Sequence, residues 1–335
     1  MKEKTIEDLF DRNKKYTLRI NVHGTVLRFY CAQKGMLNHI ELFLQYFAGR
    51  GKKAGDKVAG HCMLNILTES EYRRLGKIYT VQKTFEAFPG MMAKFGNHGD
   101  LSVYEIKSSC LIIINNITNE CACVLKRTSN KKLINIDYVV HILLVEWLRG
   151  MGSFFIHSAG LCRKKDAFLF IGQSGAGKTT TSLIGIQHGL SFMGDDLLIV
   201  RDTKKGVMLY SYIEDVKFCL DMTGKFAALA KSKALQKKAD NKVASTKFDV
   251  RKYFKVNIAA SAKIKKICFL NKGDDLVRIP LTEALPMLMN NSFYFTREGT
   301  SAKHFDILCK LLESVECYAV GHGYINNHFS ELTAN

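Results

Sequence analysis

Gly172-Gln173-Ser174-Gly175-Ala176-Gly177-Lys178-Thr179 fills the pattern G-x-x-x-x-G-K-[ST] at every fixed position. Its flanks suit that pattern, since the apolar run Ala167 to Ile171 precedes it as a strand and Thr180 to His188 follows it as a helix. A polyphosphate needs many donors in a small volume. Glycines let the backbone curl and turn its N–H groups inward, and the helix behind them adds the positive end of its dipole. On this reading the backbone from Gly172 to Thr180 cradles the phosphates of a nucleotide, Lys178 reaches the β and γ oxygens, and Thr179 offers its hydroxyl to Mg²⁺. ATP and Mg²⁺ are the cofactors expected.

Working outward, the helix stops at His188-Gly189, and a short strand, Leu190 to Met193, delivers Gly194-Asp195-Asp196. Adjacent carboxylates in that place suit the far side of a Mg²⁺–nucleotide site, one supporting the metal with Thr179 and the other taking a proton. Upstream, Ser153 to Cys162 and Ala167 to Ile171 read as strands joined by a turn at Arg163-Lys164-Lys165-Asp166. His157 lies in the first of them. A lone histidine in an apolar strand is ordinarily a satisfied core residue; beside the phosphate-loop strand it becomes a candidate catalytic group.

His157-Ser158-Ala159-Gly160, the loop Gly172 to Thr179, and Gly189 to Asp196 together resemble the catalytic domain of the HPr kinase/phosphorylase superfamily, bacterial serine kinases whose nucleotide fold is similar to that of phosphoenolpyruvate carboxykinase. The resemblance extends through Ala259 to Phe293, where Phe269-Leu270 ends a strand, Lys272-Gly273-Asp274 turns, and Pro280 to Leu285 opens a helix. It implies that Lys178 binds the β and γ phosphates and Thr179 ligates Mg²⁺. It also implies that one of Asp195 and Asp196 accepts the proton of an attacking hydroxyl while the other supports the metal, and that His157 stands near the transferred phosphate. Two features depart from the family. Ser158 follows the histidine where the family has glycine, and Tyr212-Ile213-Glu214-Asp215-Val216 stands where a glutamate-bearing, glycine-rich signature is expected. Diverged relatives with this trimmed pattern include kinases of ribosomally made precursor peptides, such as those of lasso-peptide clusters, so the resemblance implies a peptide hydroxyl rather than HPr as acceptor.

Lys231, Lys233, Lys237, Lys238, Lys242, Lys247, Arg251, Lys252 and Lys255 are accompanied by Asp240 and Asp249 alone. Such a run is either a solvated face or a mobile substrate-binding loop, and Arg251 is a candidate for stabilising transferring charge. The whole chain is basic, with net charge +18 and pI about 9.4. That balance implies an anionic partner beside the nucleotide, a nucleic acid or an acidic peptide or protein; the resemblance implies the acidic peptide or protein and makes nucleic acid unlikely.

The 335 residues, 47% of them apolar, suffice for two domains. Residues 151–335 are expected to form a P-loop kinase domain with an α/β (α+β) mixed sheet, of HPr-kinase/PEP-carboxykinase type, and residues 1–150 a β-rich N-terminal region without a readable role. In that region the patterns predict a helix over Thr5 to Asn13, a hairpin over Tyr16 to Tyr30 turning at His23-Gly24, a helix over Leu37 to Ala48, and a basic glycine-rich loop from Gly49 to Lys57. A meander over Leu101–Ile106, Cys110–Asn115 and Cys121–Leu125 follows, then a helix over Ile136 to Arg149 capped by Asn135. Ten scattered cysteines read as buried, reduced thiols. With no signal-peptide pattern and no membrane span, the expected location is the cytoplasm, and a homo-oligomer is allowed. The reading is an ATP-dependent kinase acting on a serine-type hydroxyl; a small-molecule kinase of the same fold, or a nucleotide-binding regulator, is the alternative.

Overall fold

The first hairpin follows from its turn. In this computed structural model His23 and Gly24 both take positive φ, 48° and 87°, the geometry a two-residue connection needs to match the twist of its strands. The structure describes residues 6–12, 14–44, 48–50, 57–88, 91–127, 136–240, 244–292 and 299–334. Contacts divide the chain into two compact units, Met1–Gly152 with Phe295–Ser301, and Ser153–Tyr294 with Ala302–Asn335. No helix among the described residues is long and apolar enough to cross a membrane.

The first unit runs α1 (Ile6–Leu9), β1 (Tyr16–Val22), β2 (Thr25–Cys31), α2 (Lys34–Leu44), β3 (Ala48–Arg50), β4 (Val58–Leu67), α3 (Glu69–Ile78), β5 (Lys83–Phe88), β6 (Met91–His98), β7 (Leu101–Ile106), β8 (Cys110–Asn115), β9 (Glu120–Lys126) and α4 (Ile136–Gly150). Its strands form one sheet in the order β3-β1-β2-β4-β9-β8-β7-β6-β5. The meander β7–β8–β9 is antiparallel, but β4 pairs parallel with both β2 and β9, which makes the sheet mixed. The predicted cap Asn135 and residues 51–56 of the basic loop lie outside the described residues.

Residues 58 to 98, where the patterns predict no element, hold β4, α3, β5 and β6. The start of α3 is nevertheless written locally. Thr68 Oγ1 accepts from the Glu71 N–H, and the Glu71 carboxylate accepts from the Thr68 N–H at 2.8 Å. Helix α4 buries more than apolar side chains, since Glu146 and Arg149 are buried along with Val139, Leu143 and Trp147. The two charges pair at 3.3 Å, and Tyr104 Oη donates to Glu146 at 2.7 Å, which is what allows them inside.

Trp147 is fully buried, its Nε1–H donates to the Asn119 carbonyl at 2.8 Å, and its ring meets Phe29 edge-on at 5.7 Å. Gly60 of β4 lies directly against it: a Cβ there would come within 2.5 Å of the indole. Gly60→Ala is therefore expected to destabilise the protein by about 1–3 kcal/mol through overpacking. Urea unfolding checks this, with the midpoint falling and the slope unchanged; an unaltered midpoint would mean the indole has room to retreat.

The second unit continues with β10 (Ser153–Ile156), β11 (Ala159–Arg163), β12 (Asp166–Ile171), α5 (Lys178–Gln187), β13 (Ser191–Gly194), β14 (Leu198–Thr203), β15 (Gly206–Tyr210), β16 (Val216–Cys219), α6 (Ala227–Ala230), α7 (Lys233–Asp240) and β17 (Ser245–Phe248). After these come β18 (Ser261–Asn271), β19 (Leu276–Arg278), α8 (Leu281–Asn290), α9 (Thr300–Glu313), β20 (Glu316–Gly321) and α10 (His322–Leu332). The main sheet is again mixed, in the order β10-β14-β15-β18-β12-β11-β13, with β20 joined to β18 and β19. At its centre β12, β18 and β20 run parallel and in register, Ile171 opposite Phe269 and Asn271 opposite Gly321, so their carboxyl ends share one edge.

The run Ser153 to Cys162 is two strands rather than one. β10 pairs with β14, whereas β11 pairs with β12 and β13, and the break falls at His157-Ser158. The basic stretch is likewise folded over its described residues. β16 and β17 pair antiparallel, and Phe218, Phe226, Phe248 and Phe254 pack together as a small aromatic core. Among the ten thiols Cys219 is exposed and Cys309 partly so, while burial raises Cys268 to about 12 and Cys317 to about 11, values at which a thiol stays protonated.

Candidate functional site

The carboxyl ends of parallel strands are where open α/β sheets bind ligands, because loops leave there and helix N-termini point back toward the edge. Here β12 ends at Ile171 and feeds Gly172 to Gly177 directly into α5. Gly177 caps that helix with φ 84° and ψ 14°, a left-handed conformation for which glycine is the natural residue. Gln173, Ser174 and Gly175 form the exposed apex, and Thr180 lies in the first turn of α5.

Lys178 folds back across the loop. Its ammonium donates to the carbonyls of Gly172 at 2.6 Å and Gln173 at 3.2 Å, and the side chain is only 8% exposed. Burial lowers its pKa, with Asp196 and Asp195 opposing the shift. Thr179 Oγ1 donates to Asp195 Oδ2 at 2.6 Å, and Ser182 Oγ donates to the other oxygen, Oδ1, at 2.9 Å. Thr179 and Ser182 are three apart on α5 and thus share a face, so one carboxylate bridges both. The residue is half-buried but its carboxyl group is enclosed, and burial lifts its pKa to about 6 against the two hydrogen bonds that lower it.

Asp196 stands differently. Its side chain is 67% exposed, and Oδ1 lies 3.0 Å from His157 Nδ1. The histidine occupies the break between β10 and β11, anchored by its backbone N–H to the Asn291 carbonyl at 2.7 Å. The structure thus brings Lys178, Thr179, Asp195, Asp196 and His157 into one linked constellation. Arg251 forms a bidentate pair with Asp249, Nε to Oδ1 at 2.9 Å and Nη2 to Oδ2 at 2.8 Å, within a short turn that Asp249 also caps.

Ser182 and His322 belong to this neighbourhood without having been predicted. Ser182 could have been found from its i+3 spacing to Thr179. His322 Nε2 lies 2.7 Å from the Ala176 carbonyl, a contact between residues 146 apart in the chain. Among the described residues no group of three or more His, Cys, Asp or Glu side chains is disposed to hold a metal ion unaided. The Asp195 carboxylate and the Thr179 hydroxyl still fit nucleotide-bound Mg²⁺, which takes most of its ligands from phosphate and water.

No protein-family model matches the chain, and no curated protein matches it. Among solved structures it is similar to the HPr(Ser) kinase/phosphatase from Coxiella burnetii, with 16% identity and a TM-score of 0.29, over 54% of this chain and 99% of that chain. A likeness so remote leaves the chemistry to be read from the residues themselves.

Proposed function

We propose that the second unit is an ATP-dependent phosphotransferase that moves the γ-phosphoryl group onto a serine-type hydroxyl of an acidic peptide or protein. The observation that carries this reading is the division of labour between adjacent carboxylates, Asp195 tied to the phosphate-loop helix and Asp196 tied to His157. When bound, Mg²⁺–ATP supplies the transferable group and neutralises charge as it moves. Lys178 exchanges its two loop carbonyls for β and γ oxygens. Thr179 and Asp195 offer oxygens on the metal side. Asp196, exposed and oriented by the His157 Nδ1–H at one oxygen, accepts the proton of the attacking hydroxyl on its other oxygen. A ribosomally made precursor peptide is the acceptor that the family resemblance implies.

The test is transfer from γ-labelled ATP into a lysate or a peptide set, with acid-stable label on serine the expected result. Label released only as inorganic phosphate would leave a nucleotide hydrolase or regulator instead. The acceptor class has its own test. Lys231, Lys233 and Lys237 are exposed on the folded excursion, so replacing them with glutamine should raise KM for an acidic peptide severalfold and flatten its salt dependence, with KM for ATP unchanged, since exposed charges act over about 8 Å at physiological ionic strength. A KM indifferent to both salt and substitution would point to a small-molecule acceptor.

A further inference from the structure

Three strand ends meet at the sheet edge, and only the first carries the phosphate loop. The second, after β18, turns through Lys272-Gly273-Asp274, held by the Gly273 N–H donating to Asn271 Oδ1 at 2.9 Å. The third, where β20 ends at Gly321, passes straight into His322-Gly323, the start of α10. These two turns fit without space for a side chain. A Cβ at Gly321 would fall 2.0 Å from the Gly273 carbonyl oxygen, and one at Gly323 would fall 2.0 Å from Asp274 Oδ1. The Gly321 N–H donates to the Asp275 carbonyl at 2.8 Å. His322 is thereby set between two fixed neighbours, with its ring against the phosphate loop, where a Cβ on Gly177 would lie 2.9 Å from Nε2.

A carbonyl oxygen can only accept, so His322 Nε2 carries the proton and donates to Ala176. The peptide joining Ala176 and Gly177 is planar and trans, so its carbonyl and its N–H point in opposite directions. Holding the Ala176 carbonyl toward His322 therefore aims the Gly177 N–H away from His322. Gly177 at φ 84° has no side chain to restrict that peptide by itself, and the next residue is Lys178.

We propose that His322 is a positioning residue of the nucleotide site: by its hydrogen bond to the Ala176 carbonyl it fixes the Ala176–Gly177 peptide in the orientation that presents the Gly177 N–H to the β-phosphate. This rests on the phosphate-loop reading above and adds that the C-terminal helix is part of the loop's mechanism. The contact draws on the donor at Nε2 rather than on ring bulk, which separates it from ordinary packing.

The experiment measures the dissociation constant for Mg²⁺–ADP by calorimetry in the wild type, His322→Phe and His322→Gln, with thermal melting as a check on folding. Phenylalanine keeps the bulk and removes the donor, and glutamine restores an N–H at nearly the same reach. Phenylalanine is expected to weaken binding about five- to tenfold, the worth of one such hydrogen bond, while glutamine stays within about threefold of the wild type. If the phenylalanine variant does not fold, His322→Ala takes its place with the same expectation. Wild-type affinity in the phenylalanine or alanine variant would overturn the proposal and leave the phosphate-loop reading standing. Equal losses in the glutamine and donor-free variants would also overturn it, since the donor would then be irrelevant. A wild type that binds no Mg²⁺–ADP would overturn the phosphate-loop reading and this inference together.

Discussion

Lys178→Ala is expected to abolish phosphoryl transfer, lowering kcat by at least about 10²- to 10³-fold, the cost of removing one preorganised charge-stabilising donor. The reason lies in where the ammonium sits. It is almost wholly buried and bonded to two carbonyls of the loop it follows, so it is already aimed across the cradle and loses little freedom when phosphate oxygens replace those carbonyls. Burial lowers its pKa, which means the free protein holds the charged form at some cost. Truncation to alanine relieves that cost while forfeiting two hydrogen bonds, so the melting temperature should move little even as Mg²⁺–ATP affinity falls. Lys178→Arg should not rescue transfer, because a planar fork does not fit where one point charge donates to two carbonyls about a single atom. Transfer at the wild-type rate in the alanine variant would remove the kinase reading.

What could be read in the sequence was what is local in it. The glycine-rich loop Gly172 to Thr179, the helix after it and the Asp195-Asp196 pair are each written within a few residues, and turn chemistry and apolar runs mark their ends. His157 was visible as a residue type but not as a strand break, because the apolar run continues through it and only the separate pairing of β10 with β14 divides the run. The partner of Arg251 was legible, since Asp249, two residues earlier, is in reach of both its backbone and its guanidinium. His322 carries no local signal at all. Its role depends on the parallel pairing of β18 with β20, a register that no periodicity within either strand announces. In the first unit the same non-local term hid β4, where Gly60, His61 and Asn65 interrupt the apolar pattern, yet parallel neighbours on both sides make it a strand. Excess charge was equally opaque, since lysine spacing on the basic stretch does not reveal the aromatic core beneath it.

The carboxylates should separate cleanly when each is neutralised. Asp195→Asn is expected to weaken Mg²⁺–ATP binding and lose transfer, yet to stabilise the nucleotide-free protein. Burial raises the Asp195 pKa to about 6 from 3.8, so its favourable contribution to folding is complete below the unfolded-state value and is lost as pH rises through the folded one. At neutral pH the fold therefore carries an enclosed carboxylate at a cost of roughly 1–3 kcal/mol, which the amide removes while still accepting from Thr179 or Ser182. The melting temperature of the variant should exceed the wild type at pH 7.5 and approach it at pH 4.5. Asp196→Asn should behave in the opposite way: its side chain is exposed, so stability and Mg²⁺–ATP binding stay nearly intact, while kcat falls by about 10² to 10⁴, the usual worth of a general base. Because Asp196 is bonded to His157, the double variant His157→Ala/Asp196→Asn should be scarcely slower than Asp196→Asn alone. Additive losses would show that the two side chains act separately, and a normal kcat in Asp196→Asn would take the proton transfer away from this pair.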